Sequence, residues 1–348
     1  MKYTAKQITK AGEVLTTSKD KDAVVAATKK INDWRELHLP VIEKLMMELK
    51  HIFANTSIEY DFSSYRLKRM TSIQYKLDFN PKMGLGGMQD IAGGRFVFSD
   101  IKDLLSAYSL LQKQVPSQFE LVKEDDYVSA PKESGYRSIH LVYRYHSESE
   151  EDWDKMKVEI QLRTSLQHSW AMAVETAGLV TNTAMKSGQG SDEWQLFFHL
   201  VSCLFATREH TQKMAKYCNE PTISLIDKLQ KLNNKYKFSD QLLALNFSFK
   251  VVERKAYQGE MYLLYINFKT KQLRISSFEK ESSDVANNQY NRLENRIKDG
   301  ENAVVLVSVS DFKELKEAYP SYFLDMEDFN NVLMTYLNIG KKRPSYYR

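Results

Sequence analysis

The sequence predicts a mixed α/β (α+β) fold: a sheet flanked by helices, with a small α+β domain at the C-terminal end. Three observations carry that expectation. Residues 1–54 place Ile31, Trp34, Leu37, Val41, Ile42, Leu45 and Leu49 at helical spacing with few breakers. Residues 91–162 mix strand-like runs with a single helical stretch. After about residue 240, runs rich in β-branched and aromatic residues return.

The elements follow in order. A second helical stretch is expected over 63–78, ended by Asn80-Pro81-Lys82-Met83-Gly84-Leu85-Gly86-Gly87, where proline and three glycines favour a loop. Gly94–Phe98 reads as a strand and 100–114 as a helix. Strands are expected near 119–123, 138–145 and 157–162, the last two joined by an acidic turn. Helices occupy 164–236, with breaks at Ser187–Gly190 and near Pro221. Strands at 247–255, 261–268 and 272–277, a charged helix near 284–299, the apolar run 303–309 and two short helices complete the chain. The expected organisation is 1–184 as one domain, 185–238 as a helical connector and 239–348 as a second domain, in keeping with roughly 150 residues per domain.

Composition excludes several classes. Lys and Arg exceed Asp and Glu by 49 to 45, a net +4, too mild for a histone-like coat of positive charge. Two cysteines, Cys203 and Cys218, and seven histidines argue against a disulfide scaffold and a Cys-rich zinc site. No apolar run approaches the ~18 residues of a membrane span, and Met1–Val14 lacks a signal-peptide core, so a soluble cytoplasmic protein is expected. There is no GxxxxGK[ST] loop, kinase motif, GxSxG elbow or His-Asp metal pair.

Four segments carry candidate chemistry. Arg66-Leu67-Lys68-Arg69, with Lys76 beyond it, makes a cation cluster that fits the charges of a nucleoside triphosphate, and a solvated basic helix is the plainer alternative. Asp90, ahead of Gly93-Gly94-Arg95, is suited to Mg2+, or simply to capping. Lys132, Tyr136 and Arg137 surround a loop entering a strand, an aromatic face beside cations that suits a stacked base. Packing at a strand end is the alternative for Tyr136. In Val158-Glu159-Ile160-Gln161-Leu162-Arg163, alternation puts Glu159, Gln161 and Arg163 on one face, lining a site or wetting an edge strand.

Taken together and in this order, these segments resemble the synthetase domain of the RelA/SpoT family over about residues 60–180. The resemblance implies a nucleotidyltransferase-type mixed sheet and a pyrophosphokinase that moves pyrophosphate from ATP to a ribose hydroxyl, releasing AMP. It implies that Arg66, Lys68 and Lys76 grip ATP phosphates, Arg66 also lying close to the adenine, and that Arg95 supports the site. Asp90 would hold Mg2+, Tyr136 would stack on the acceptor base, and Glu159 would be a second Mg2+ ligand or the base that takes the hydroxyl proton. The His-Asp metal motif of the family's hydrolase half has no counterpart here.

The flanks Asn32–His38 and Gln167–Thr176 look like the toxic small-alarmone-synthetase branch. The tail Ala318–Asp325 is similar to that of the CapRel group, single-chain toxin–antitoxin fusions of phage defence. That likeness implies the 3′ end of tRNA as acceptor, autoinhibition by a Tyr-x-x-Tyr motif at Tyr319 and Tyr322, and release by a phage capsid protein. A second Tyr-x-x-Tyr stands at Tyr262 and Tyr265. Lys29, Lys30, Lys82, Lys132 and Arg137 are candidate tRNA phosphate contacts. A guanosine alarmone synthetase acting on GDP or GTP would use the same catalytic residues. A catalytically dead sensor module is the third reading, and the complete set of acids and cations speaks against it.

Overall fold

The computed structural model describes the chain apart from residues 1, 148, 150–151, 182–190, 247–249, 253–258, 268–269, 271, 298–301, 310–311, 319–326 and 341–348. Helix α1 (Ala5–Thr17) opens on a reciprocal cap between Thr4 and Gln7, and α2 (Lys21–Glu36) on Asp20, which accepts from two backbone amides. α3 (Leu39–Ala54) starts with Pro40 in its first turn. Then come β1 (Phe62–Leu67), α4 (Met70–Phe79), β2 (Ala92–Phe98), α5 (Ile101–Lys113), β3 (Phe119–Asp126), β4 (Ile139–Tyr145) and β5 (Lys157–Thr164). The helices α6 (Ser165–Thr181), α7 (Asp192–Arg208), α8 (Thr222–Tyr236) and α9 (Phe238–Asn246) follow. β6 (Lys250–Val252), β7 (Met261–Asn267), β8 (Gln272–Phe278), α10 (Ser283–Glu294), β9 (Asn302–Ser308), α11 (Phe312–Ala318) and α12 (Glu327–Leu337) complete the order.

The helix expected over 63–78 is corrected. Its first part is strand β1, paired antiparallel with β2 from Phe62↔Val97 to Leu67↔Ala92, and only Met70–Phe79 is helical. Tertiary pairing overrides the local pattern here. It also explains why Arg66, Lys68 and Lys76 form no helical stripe: they stand on a strand, a loop and a helix.

The strands form one sheet in the order β3-β4-β5-β2-β1-β9-β7-β8-β6. β5 therefore lies between β4 and β2, which removes the edge-strand alternative for Glu159, Gln161 and Arg163. Helix α3 packs one face of this sheet through its buried stripe Val41, Ile42, Leu45, Met46, Leu49 and Phe53. Phe53 meets Phe96 edge-on at 5.0 Å. Burying each such side chain contributes about 1.5–3 kcal/mol. Gly94 faces the same way: a Cβ there would lie 2.5 Å from Met46 Sδ and 2.9 Å from Ile160 Cδ1, so only glycine lets α3 approach this closely. By alternation, Gly93 and Arg95 on β2, with Glu159 and Gln161 on β5, point to the opposite face.

Two compact units divide the chain. The first comprises 1–125, 139–163 and 252–318, and the second 126–138, 164–251 and 319–348. Boundaries read from composition, at 184 and 238, follow the chain, whereas the units follow the sheet. β9 is the reason: it pairs with β7 along its length and meets β1 at Tyr65↔Ser308.

The second unit is helical, with Trp170, Trp194, Phe197, Phe198, Phe205 and Phe329 in its core. Trp170 Nε1 donates to the Phe198 carbonyl at 2.9 Å. α6 opens on a reciprocal pair in which Gln167 N–H donates to Thr164 Oγ1 and Thr164 N–H to Gln167 Oε1. Among the described residues, no helix is long and apolar enough to cross a membrane.

Candidate active site

Asp90 stands just ahead of β2, and both its oxygens are occupied. Lys68 Nζ donates to Oδ2 at 2.8 Å and Lys76 Nζ to Oδ1 at 2.9 Å. The loop after β1 is held to this point by the Lys68 N–H, which donates to the Ile91 carbonyl at 2.7 Å. Burial pushes the Asp90 pKa up, but the two ammonium groups outweigh it and hold the carboxyl well below the usual range.

Glu159 anchors a polar row along β5. It accepts from Gln161 Nε2 at 2.7 Å, and Gln161 in turn accepts from Arg163 Nη2 at 2.6 Å. His140, opposite Gln161 on β4, reaches Glu159 Oε2 through Nδ1 at 3.1 Å. Burial raises the Glu159 pKa and the nearby charge of Asp90 adds to that rise. The His140 and Gln161 hydrogen bonds and the His140 charge prevail, leaving the acid ionised below its ordinary value. The two carboxylates are thus electrostatic neighbours.

Arg66 lies opposite Gly93, and Arg95 opposite Ser64, in the β1–β2 register. A Cβ on Gly93 would meet only the Glu159 carbonyl, at 3.7 Å, so the sheet between Arg66 and Glu159 is left bare. The structure therefore brings Asp90 together with Lys68 and Lys76, and sets Glu159, Arg66 and Arg95 on one face around that bare floor. His140 was not singled out from sequence, because it reads as a routine strand residue and its partner is on the next strand.

The remaining candidates are dispersed. Lys29 and Lys82 are exposed and Lys30 half-buried, on α2 and in the turn after α4. Lys132, Tyr136 and Arg137 belong to the second unit. Lys132 is exposed, its ammonium 4.2 Å from the Tyr127 ring centroid and 5.3 Å from that of Tyr136, which is 7% exposed. Arg137 is corrected as an acceptor contact. It is buried, with Nε donating to Ser202 Oγ at 3.1 Å and Nη1 to the Gln212 carbonyl at 2.6 Å. Ser202 Oγ also donates to the Gly135 carbonyl at 2.6 Å, and Gly135 has φ +85°, where a side chain would be strained. Arg137 thus holds the loop in place. Tyr319 and Tyr322 lie outside the described residues. Tyr262 is fully buried on β7, and the Tyr265 hydroxyl donates to Asn302 Oδ1, so both have packing roles in the sheet.

The family model described as "Region found in RelA / SpoT proteins" matches residues 65–179. GTP pyrophosphokinase YjbM of Bacillus subtilis is 33% identical over 150 residues, 40% of this chain and 69% of that protein. The chain belongs to the RelA/SpoT family. GTP pyrophosphokinase YwaC of the same organism is 31% identical over 132 residues, 36% of this chain and 61% of its own length. The solved small alarmone synthetase 1 of B. subtilis, bound to its product pppGpp, is 26% identical, covering 52% of this chain and 94% of that one with a TM-score of 0.45. The RelA/SpoT match includes Arg66, Lys68, Lys76, Asp90, Arg95, Lys132, Tyr136, Arg137 and Glu159, and stops before the tail.

Mg2+ fits the donor chemistry of this RelA/SpoT site. Two neighbouring carboxylates offer hard oxygen ligands, and Mg2+ commonly takes one or two carboxylates and completes its shell with water and substrate phosphates. Among the described residues there is no group of three or more His, Cys, Asp or Glu that could hold a metal ion.

Proposed function

We propose that the chain is a pyrophosphokinase using ATP as donor. The observation that carries this reading is Asp90 held by Lys68 and Lys76, with Glu159, Arg66 and Arg95 on one face of the sheet around the bare Gly93. Phosphoryl-type transfer needs chiefly positioning and dispersal of charge. A ribose hydroxyl oxygen bonds to the β-phosphorus of ATP, the bond from that phosphorus to the α-phosphate bridging oxygen breaks, and AMP leaves. The hydroxyl proton passes to Glu159, which His140 and Gln161 keep ionised and aimed. Lys68 and Lys76 exchange Asp90 for the phosphates. Asp90 and Glu159 are the residues that would hold Mg2+, which would supply further positive charge to offset that of the phosphates.

The finer reading is that the acceptor is the 3′ end of tRNA, with Lys29, Lys30, Lys82 and Lys132 as phosphate contacts and Tyr136 as the stacking ring. To stack, a base must displace or join the Lys132 ammonium. On this reading the chain is a CapRel-like toxin–antitoxin fusion in the cytoplasm. Residues 1–184 are the toxin, 185–238 connect, and 239–348 inhibit through Tyr319 and Tyr322 until a phage capsid protein binds. Support comes from the likeness of Asn32–His38, Gln167–Thr176 and Ala318–Asp325 to that group. The names of the relatives, GTP pyrophosphokinases, favour a second reading in which GDP or GTP is the acceptor.

The test supplies ATP labelled on its γ-phosphate with bulk tRNA and GDP/GTP, with and without capsid protein. Label on tRNA only with capsid supports acceptor and trigger together, and label on guanine nucleotide moves the assignment to an alarmone synthetase. Transfer to neither acceptor in either condition would remove the pyrophosphokinase reading. For inhibition, Tyr322→Ala in the full chain is expected to raise toxicity in cells, and a harmless, folded Tyr322→Ala protein would remove the motif from this role.

A further inference from the structure

Helix α4 carries Lys76, and its first turn has no local cap: Arg69 precedes it without a capping side-chain hydrogen bond. The start of a helix leaves backbone N–H groups without intrahelical partners, and the helix dipole favours negative charge there. The missing partner comes from 224 positions later in the chain. The Met70 N–H donates to Glu294 Oε1 at 2.5 Å, from the last residue of α10. The carboxylate is itself held. Tyr290 OH donates to Oε1 at 2.5 Å, and Arg35 Nη1 donates to Oε2 at 3.1 Å. Arg35 Nη2 closes the ring by donating to Tyr290 OH at 3.2 Å, and all three side chains are buried.

A second and a third tie reach the same segment from the tail. Glu314 Oε1 accepts from the Ser63 N–H at 3.0 Å, and Ser308 pairs with Tyr65. The strand that carries Arg66 and the helix that carries Lys76, on either side of the Lys68 loop, are thus fastened by residues 294, 308 and 314. These lie outside the region matched to the family, which ends at 179.

We infer that Glu294 is a positioning residue for the ATP-phosphate cations: its carboxylate fixes the start of α4 and so sets where Lys76 stands against Asp90. This rests on the pyrophosphokinase reading for its consequence, but not for its geometry. Residues 294–314 then contribute to building the site. Lys76 Nζ lies 2.9 Å from Asp90, and displacements of an ångström are enough to lose productive positioning.

Two full-chain variants test this. Glu294→Asp keeps the charge for Arg35 but withdraws the carboxylate by one methylene from Met70, while Glu294→Gln keeps the reach and loses the charge. Hydrogen exchange is read on peptides covering 70–79, with peptides of β2 and β5 as the control for folding. Initial rates with varied ATP and varied acceptor are read beside it. In Glu294→Asp, exchange at the start of α4 and the KM for ATP are each expected to rise about tenfold, the worth of a helix cap, with the acceptor KM little changed. Glu294→Gln is expected to restore slow exchange. Wild-type exchange and wild-type KM for ATP in Glu294→Asp would overturn the inference, as would fast α4 exchange in a folded Glu294→Gln protein. If the wild-type chain transfers label to no acceptor, the reaction fails while the exchange still decides the role of Glu294.

Discussion

Gly93 is bare on the face that carries Arg66 and Glu159, and a Cβ there would make only an ordinary contact, with the Glu159 carbonyl at 3.7 Å. Gly93→Val is therefore expected to fold with a Tm within about 3 °C of wild type, a small surface-type change. The same substitution fills the floor of the site, so transfer from labelled ATP should drop by about a hundredfold or more. Asp90 adds a pH signature. Its pKa is depressed in the fold, so its ion pairs stabilise the protein fully above the unfolded value of about 3.9 and less as pH falls toward the folded one. The stability difference between wild type and Asp90→Asn, measured by denaturant, should narrow as pH is lowered below about 4. A difference that widens in acid would contradict the lysine clamp.

One position on, Gly94 belongs to the contact between β2 and α3. Gly94→Val would drive a side chain into Met46 and Ile160, and is expected to cost about 1–3 kcal/mol in denaturant unfolding. Adjacent glycines on one strand thus separate activity from stability. Alternation made that split legible in part: β2 and β5 were readable, and so was the shared face of Glu159, Gln161 and Arg163. β1 was not. Phe62-Ser63-Ser64-Tyr65-Arg66-Leu67 is short, and neither its pairing with β2 nor its contact with β9 leaves a local trace. Arg137 misled for a related reason, since a loop cation looks free until Ser202 and Gln212, far along the chain, take its donors. His140 and Glu294 likewise act through partners that sequence order does not reveal.

At the scale of the molecule, removing the tail is a poor test of inhibition. A cut near 240 would take away β9, Glu294 and Glu314 along with the Tyr-x-x-Tyr segment, leaving β1 paired only with β2 and α4 without its cap. Point variants keep those effects apart. The placement of β9 also imposes an order in time. β1 ends at residue 67, and its partner strand begins at residue 302. At a synthesis rate of about 5–20 residues per second, the ribosome needs on the order of 10–50 s to make the intervening chain. Until then, the strand bearing Arg66 has an open flank. The ties that fasten β1 and α4 therefore cannot form before residues 294–314 have been made. Ribosome-bound chains stalled before residue 302 should be cleaved by protease within 62–79, and chains stalled with residues 302–314 outside the exit tunnel should be protected there. The order of synthesis thus makes the fastening of β1 and α4 one of the last steps in forming the first unit.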